Sequence, residues 1–260
     1  MLNILKTDFY KAFRTPSFWV ISVITILSSL LSSFLCFWIL TQPEFLEKPE
    51  AIKLLEVNGI YNNFFKDANE IMTGCIFLIG IFAVMFFVSE FNYGTIKNIA
   101  SKGYRREYIY ISKFVTAIVV AIISLLLSFL TAFITAQIMI NNKISGFFDY
   151  NAEFHTSLSK QALLVVTYIS IAILLAMLFR SLGPALSVFL AYFFLENSIV
   201  QLINKLIHDV FNSDFSVAPY FINGAFSNPD KTVQGVIVLL VYIVVTTAIG
   251  FYTFRKRDIN

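Results

Sequence analysis

Charged residues are scarce in this chain. Asp, Glu, Lys and Arg make up only 13% of its 260 residues, whereas hydrophobic residues make up 58% and aromatic residues 17%. A soluble globule of this length needs much more polar surface to cover its core. The composition therefore excludes a soluble protein and predicts an integral membrane protein. We expect no nucleic-acid partner, because the net charge of +3 is weak evidence for one and its distribution follows membrane topology.

The chain has two cysteines, Cys36 and Cys75. They make neither a disulfide framework nor a zinc-type spacing. Both fall near the expected outer ends of neighbouring membrane spans, so a disulfide between them is one alternative. Two unrelated buried thiols are the interpretation that we prefer.

The sequence also lacks the glycine-rich loop that binds nucleoside triphosphates. None of its ten glycines begins a G-x-x-x-x-G-K-[ST] motif. No constellation of Ser, Cys, His or paired Asp indicates hydrolysis, and no ligand spacing matches a metal loop. We therefore expect neither a catalytic site nor a bound cofactor or metal in this chain. If ATP drives the protein, another polypeptide binds the ATP and its magnesium.

Long apolar runs are what the sequence has in abundance. Six stretches of about 20 apolar residues can each cross a hydrocarbon core of about 30 Å as an α-helix. Barrel strands are a poor alternative, because they alternate apolar with polar residues over about ten positions. We predict an all-α membrane protein with six transmembrane helices that forms one domain over residues 1–260. The predicted spans are 17–40, 70–89, 114–140, 161–179, 184–203 and 233–253.

Six spans place both termini on the same side of the membrane. Twelve Lys and Arg residues lie on that side, against seven in the three loops of the other side. Basic residues accumulate on the cytoplasmic side of membrane proteins. The distribution therefore predicts cytoplasmic termini.

Residues 1–16 have an amphipathic pattern. A helix here presents apolar and polar residues on opposite sides, which suits the headgroup layer of the membrane. We predict an amphipathic elbow helix that Pro16 ends; a basic flank without fixed structure is the alternative. The apolar side holds Leu2, Leu5, Phe9 and Phe13, and the polar side holds Lys6, Thr7, Tyr10, Lys11 and Arg14.

Two connections between the later spans differ in length. Only residues 180–183 join the fourth and fifth spans before Pro184, so these helices should form a tight cytoplasmic hairpin. Residues 204–232 are too apolar for a free loop and too interrupted for a span. We predict that they form an outer re-entrant segment of short helices, since irregular backbone at membrane depth must be sheltered by protein.

Glu196 is the only ionisable residue well inside a predicted span. A carboxylate within the membrane is costly to bury, so it is a functional candidate by default. Asn197 and Gln201 follow it along the same helix, and these three residues are our candidates for a substrate pathway. The alternative is a structural Glu196 that is solvated or hydrogen-bonded, which its position in the outer half of the span favours.

Residues 90–113 form the one large basic loop and hold five of the 19 Lys and Arg residues. A Glu at the inner end of the second span is followed by Gly-Thr, a Lys, a Gly-x-x-Arg and a Lys at the entry to the third span. Together with the elbow, the six spans, the hairpin and the outer segment, this motif resembles the ABC-2 type permease family. The motif residues are Glu90, Gly94, Thr95, Lys97, Gly103, Arg106 and Lys113.

The resemblance implies a transmembrane subunit of a bacterial ATP-binding cassette exporter. Such a subunit sits in membrane lipid, pairs with a second copy or a paralogue, and works with two separate ATPase subunits. A helix within 94–106 would be the coupling helix, with Gly94 permitting a sharp exit from the span and with Ile96, Ile99 and Tyr104 as apolar anchors. The residues assigned to ATPase coupling are Glu90, Gly94, Thr95, Lys97, Lys102, Gly103, Tyr104, Arg105 and Arg106.

Other interpretations of the sequence stay open. The basic loop alone also fits a topogenic, lipid-binding segment. Small permeases of this kind resemble those that export, or protect against, antimicrobial or amphipathic peptides, so such a peptide is our candidate substrate. A non-transporting immunity or scaffold protein that binds a toxic peptide is a second class of function. An ion-coupled secondary transporter is a third, weakened because the spans carry no network of charges.

Overall fold

The computed structural model describes residues 2–41, 64, 76–101, 103–140, 148, 153–211, 215–226 and 232–256. Within these ranges the chain is helical and has no strand, which confirms the all-α prediction. The elements are α1 (Leu2–Arg14), α2 (Pro16–Thr41), α3 (Ile76–Asn92), α4 (Thr95–Ser101), α5 (Arg106–Ile140), α6 (Glu153–Phe179), α7 (Leu182–Phe211), a 3₁₀ turn (Ala218–Tyr220) and α8 (Thr232–Lys256).

Five of the described helices are long and apolar enough to cross a membrane, namely α2, α5, α6, α7 and α8. They correspond to five of the six predicted spans. The remaining one, 70–89, begins outside the described residues, and α3, which covers most of it, has 17 residues. The span predicted at 70–89 therefore stays a prediction. The expectation that Cys36 and Cys75 are unrelated thiols also stays a prediction, because Cys75 and the side chain of Cys36 lie outside the described residues.

Several helices extend beyond the predicted spans. α5 begins at Arg106 instead of 114, and α7 continues to Phe211 instead of ending at 203. Hydropathy marks only the part of a helix that fits the hydrocarbon, whereas backbone hydrogen bonding continues through the polar residues beyond it. Residues 204–211, which we expected in the outer segment, are therefore the last turns of α7.

α1 is helical as predicted, but its buried side differs from the predicted apolar side. Ile4, Asp8 and Ala12 are buried, whereas Leu2 is 72% exposed. The pattern of apolar residues did not predict this buried side, because the side includes a charged residue, Asp8, which is fully buried. α1 ends at Arg14, two residues before Pro16, as predicted. Pro16 is also the first residue of α2, where its fixed φ and missing N–H suit a helix start.

The chain divides into two compact units. Unit 1 contains Met1–Phe18, Ile79–Val120 and Leu163–Asn260, and unit 2 contains Trp19–Leu78 and Ala121–Ala162. Long helices such as α5 contribute to both. The prediction of one domain over residues 1–260 stays a prediction.

An aromatic cluster joins α3, α5 and α8 in unit 1. The ring centroid of Phe87 lies 6.2 Å from that of Tyr110 and 6.5 Å from that of Phe254. Nearby, Gly80 of α3 makes room for α7, because a Cβ atom at Gly80 would overlap the ring of Phe189. These contacts bury large apolar side chains, which is the main source of packing energy between helices in lipid.

Small residues line the contact between α2 and α5 in unit 2. The hydroxyl oxygens of Ser29 and Ser128 are 2.7 Å apart, and both side chains are buried. Small side chains let two helices approach closely, and hydroxyl pairs of this kind join them within a membrane. Phe64 packs beside this contact, with its ring centroid 5.5 Å from Phe129 and 5.4 Å from Phe133.

Arg180 and Ser181 alone join α6 to α7, which confirms the tight hairpin. Arg180 adopts a left-handed φ of 50° and donates its backbone N–H to the carbonyl of Ala176 at 3.0 Å. This is a left-handed helix C-terminus of the type usually filled by glycine. The glycine in the sequence, Gly183, instead lies in the first turn of α7.

Residues 215–226 pack against α7 and α8 in unit 1. The side-chain oxygen of Asn204 accepts a hydrogen bond from the backbone N–H of Val217 at 2.9 Å. Gly235 of α8 touches the carbonyl of Ala225 so closely that a Cβ atom would overlap it. The described part of this segment packs on helices and contains one 3₁₀ turn, Ala218–Tyr220, whereas we predicted short re-entrant helices. Its depth in a membrane stays a prediction.

Candidate functional site

Four buried or half-buried charges from three helices meet in unit 1, and we call them the charge cluster. Lys113 of α5 is fully buried, and its Nζ lies 3.2 Å from Asp8 Oδ1 and 3.2 Å from Glu90 Oε2. Glu90 Oε1 lies 3.2 Å from Nζ of Lys11. Ser112 completes the site by donating its hydroxyl to Asp8 Oδ2 at 2.6 Å. Positive and negative charges therefore alternate from Asp8 through Lys113 and Glu90 to Lys11.

The charge cluster joins α1, the last turn of α3 and the second turn of α5. Burying each ion alone would carry a penalty of several kcal/mol, which is offset only when every charge has a partner in good geometry. The two acids and two bases balance, and Lys113 also lies 5.3 Å from the ring centroid of Phe86. Removing one member leaves an uncompensated charge. The arrangement thus fixes the three helices relative to one another.

α4 follows the charge cluster directly along the chain. It is preceded by Gly94, with a φ of 63°, and followed by Gly103, with a φ of 80°. Side chains are strained in this left-handed region, so both turns favour glycine. Gly94 also donates its N–H to the carbonyl of Phe91 at 3.1 Å, which closes the end of α3. The predicted short helix within 94–106 is therefore present over Thr95–Ser101.

The predicted coupling residues have different environments. Glu90 is 5% exposed and belongs to the charge cluster. Arg105 is exposed, Tyr104 is half-buried, and Arg106 donates from Nη1 to the carbonyl of Arg255 at 3.1 Å. Ile96 is 1% exposed, so its side chain packs within the chain, and its role as an apolar anchor stays a prediction. The side chain of Lys97 and all of Lys102 lie outside the described residues.

A groove of about 760 Å³ lies between α1 and the end of α3. Its walls include Lys11 and Glu90 of the charge cluster, Arg14 of α1 and Thr95, the first residue of α4. The guanidinium of Arg14 stacks over the ring of Tyr10, 4.7 Å from the centroid. The groove therefore links the charge cluster to α4.

Glu196 occupies a second buried polar site, which joins α6, α7 and residues 215–226. The side chain is 1% exposed. Its Oε1 accepts the backbone N–H of Asn223 at 2.9 Å, and its Oε2 accepts the side-chain amide of Asn223 at 3.1 Å. The Tyr168 hydroxyl lies 3.0 Å from Oε2 and 2.6 Å from Asn223 Oδ1, with one proton to share between them. Neutral donors, and not cations, thus surround this carboxylate.

Asn197 and Gln201 lie beside Glu196 but face a different space. Both are exposed and line a cavity of about 280 Å³, together with Asn204 and Asn223. Asn223 is shared, because it lines the cavity and also holds Glu196. The structure therefore brings the three predicted pathway residues to one region, with Glu196 behind the wall and the two amides on it. Among the described residues, no group of three His, Cys, Asp or Glu side chains is placed to hold a metal ion.

Comparison with known proteins assigns the family. Residues 2–259 match the family model described as ABC-2 family transporter protein. The chain belongs to the ABC-2 transporter family. This ABC-2 permease is thus a multi-pass membrane protein and the membrane-spanning part of an ABC transporter, a class of subunit that is generally not catalytic and normally works with ATPase partners. A comparison with curated proteins gave no significant match.

Sequence reasoning missed one member of the charge cluster of this permease. The burial of Asp8 was not predicted, because acidic residues on an otherwise basic amphipathic helix are usually solvated. A signal was present, however: Asp8 lies four residues after Ile4 and four before Ala12, so it shares one helical stripe with two apolar residues. Lys113 was noted only as a basic residue at the entry to a span. Its burial depends on Asp8, 105 residues away in the sequence.

Proposed function

We propose that this permease is the membrane subunit of an exporter and that residues 94–106 are where its ATPase docks. The observation that carries the proposal is the position of α4. It lies between two left-handed glycines and begins five residues after Glu90, which is held from two sides by Lys11 and Lys113. A displacement of α4 by a partner would act on Glu90 within about one turn and, through the charge cluster, on α1 and α5.

We infer that two ATPase subunits and two permeases, either two copies or a pair of paralogues, make the working assembly in a bacterial plasma membrane. The start of α5 and the end of α8 lie together, since Arg106 bonds to the carbonyl of Arg255. Both ends are basic, with Arg105, Arg106, Arg255 and Lys256. Basic ends favour the cytoplasm, which is the side where an ATPase is found, so we place both termini there.

An amphipathic or antimicrobial peptide is the substrate class that we propose, moved outward. The support comes from the cavity beside Glu196. Its side-chain amides, from Asn197, Gln201, Asn204 and Asn223, offer both donors and acceptors. A peptide backbone needs both, whereas a purely apolar lipid tail needs neither.

The proposal is tested by co-expressing the chain with the ATPase encoded beside it and reconstituting the complex. Gly94→Val places a β-branched residue at a φ of 63°, and we expect transport to fall at least tenfold while membrane insertion is unchanged. Gly183→Val is the matched control, because this glycine has open space around it and no left-handed φ. Normal ATP-driven transport by the Gly94→Val complex would overturn the docking assignment.

A second arm separates transport from passive protection. Cells that carry the permease with a catalytically dead ATPase are exposed to candidate peptides. An exporter loses its protective effect in this background. Full protection without ATP hydrolysis would instead support an immunity protein that binds the peptide, and would contradict the exporter.

A further inference from the structure

An apolar groove of about 490 Å³ runs between α5 and α8 in unit 1, away from both polar sites described above. We call it the α5–α8 groove. Its volume lies within the range of about 300–1,000 Å³ that is typical of ligand pockets. The walls are almost entirely hydrocarbon, and the groove opens to the protein surface, where Val244 is 64% exposed and Ile111 38% exposed. The apolar lining consists of Ile111, Phe114, Ile243, Val244, Ala248 and Phe251.

Two hydroxyl groups on the wall of this groove lack a hydrogen-bond partner among the described residues. They belong to Tyr110, which is 1% exposed, and to Thr247. Gly250 leaves the space into which the tyrosine hydroxyl fits, because a Cβ atom there would lie 2.7 Å from it. A buried hydroxyl without a hydrogen-bond partner is unfavourable. Both hydroxyl oxygens are buried within the protein, so the surface that an occupant of the groove would contact is almost entirely apolar.

The groove ends at a basic rim. Arg106 begins α5 and bonds to the carbonyl of Arg255, while Lys256 is the last described residue of α8. Exposed Arg105 adds a further positive charge, and Glu107 is the one carboxylate in the first turn of α5. The rim therefore has a net positive charge, which complements an anionic headgroup.

Distances along the helices match the parts of a lipid molecule. Tyr110 lies one turn, or about 6 Å, beyond Arg106, and Val244 lies about 16 Å from Arg255. That is about half of a hydrocarbon core of roughly 30 Å, or the depth of one leaflet. A phosphate at the basic rim would leave an acyl chain along the apolar walls.

We propose that the α5–α8 groove is a binding site for an anionic glycerophospholipid, with its phosphate on Arg106, Arg255 and Lys256 and one acyl chain between α5 and α8. The site does not depend on the proposed exporter function. It gives this permease a lipid ligand of defined headgroup charge that would hold the ends of α5 and α8 together beside residues 94–106.

The test uses the purified full-length permease, delipidated in mild detergent and titrated with phosphatidylglycerol or phosphatidylcholine of identical acyl chains. Bound lipid is counted by native mass spectrometry. We expect one tightly retained phosphatidylglycerol and at least a fivefold preference over phosphatidylcholine. Ala248→Phe should fill the groove and abolish retention, whereas Ala191→Phe, at an exposed alanine of α7 outside the groove, should keep it.

A second variant pair tests the headgroup contact without changing the groove. Arg255→Gln with Lys256→Gln should reduce the preference for phosphatidylglycerol to below twofold, whereas removing an exposed charge elsewhere, in Lys205→Gln, should leave it unchanged. Equal lipid retention by Ala248→Phe and Ala191→Phe would overturn the proposal, and so would a wild-type protein without headgroup preference. If Ala248→Phe instead converts a dimer into a monomer at unchanged lipid content, the groove is an interface between two copies and the lipid site is wrong.

Discussion

Unit 1 holds two buried carboxylate sites that are stabilised in opposite ways. In the charge cluster, Asp8 and Glu90 are neutralised by Lys113 and Lys11. Glu196 is equally enclosed but is surrounded by the neutral donors of Asn223 and Tyr168. The first arrangement ties helices together through ion pairs. The second ties residues 215–226 to α6 and α7 through hydrogen bonds.

This difference determines how each site responds to change. An ion pair in a low-dielectric interior is strong only while both charges are present, and loss of one leaves the other unpaired. A hydrogen bond from a neutral donor is individually weaker than an ion pair in such an interior, and the loss of one such bond has a smaller effect. The charge cluster is therefore suited to transmit displacement as a stiff unit, whereas the Glu196 site can release residues 215–226 at a lower energy. Both properties would be useful to a permease in which an ATPase displaces α4 beside the charge cluster and residues 215–226 move away from α6 and α7.

The largest effect is expected at Lys113. Lys113→Met removes the cation between Asp8 and Glu90, and we expect a loss of about 3–5 kcal/mol in the free energy of unfolding, because Asp8 then has no cationic partner in the cluster. Thermal unfolding of the purified protein in detergent measures the change. A loss below about 1 kcal/mol would mean that solvent reaches these charges.

The double variant Asp8→Asn with Lys113→Met provides the control for this prediction. It removes one acid together with the base, so the uncompensated charge at Asp8 disappears. We expect the double variant to be more stable than Lys113→Met alone, with a coupling of at least about 1 kcal/mol in a double-mutant cycle. Strict additivity of the two single changes would contradict the ion-pair description.

The next largest effect is expected at Glu196. Glu196→Leu leaves the backbone N–H and side-chain amide of Asn223 and the Tyr168 hydroxyl without their acceptor. Each unsatisfied buried donor costs about 1–3 kcal/mol, reduced where water can enter. We expect faster hydrogen exchange across residues 218–226, measured by mass spectrometry. Glu196→Gln keeps one acceptor oxygen, so the increase in hydrogen exchange should be much smaller. The partners of Glu196 in these hydrogen bonds, Asn223 and Tyr168, are neutral, so the variant leaves no cation unpaired among them.

The sequence predicts some of these features and not others, for physical reasons. Continuous apolar runs reveal five spanning helices, because lipid requires them along the whole length of a helix. Glu196 is conspicuous because it is the only acid in such a run. Asp8 is not, because its burial depends on a lysine 105 residues away. Periodicity likewise could not reveal that Ile96 faces inward, since α4 has only seven residues and no complete amphipathic repeat.

A smaller effect is expected at Asn223. Asn223→Ala removes one donor to Glu196 and the acceptor beside Tyr168 but leaves the backbone N–H in place. We expect the free energy of unfolding to fall by only about 1 kcal/mol, because the hydrogen bond from the backbone N–H of residue 223 to Glu196 persists. Asn204→Ala is the matched control, as it removes the side-chain contacts to Val217 and Ser216 in the same region. If only Asn204→Ala raises exchange in residues 218–226, Glu196 is not what holds the segment.

The smallest effect is expected at Lys11, the most exposed member of the charge cluster. Its side chain is 31% exposed, whereas that of Lys113 is fully buried. Lys11→Met should therefore lower the free energy of unfolding by about 0–1 kcal/mol. Water screens an exposed charge, and Glu90 keeps Lys113 as a partner. The same thermal unfolding measurement compares the two lysines directly. Equal losses for Lys11→Met and Lys113→Met would show that burial does not set the strength of the cluster.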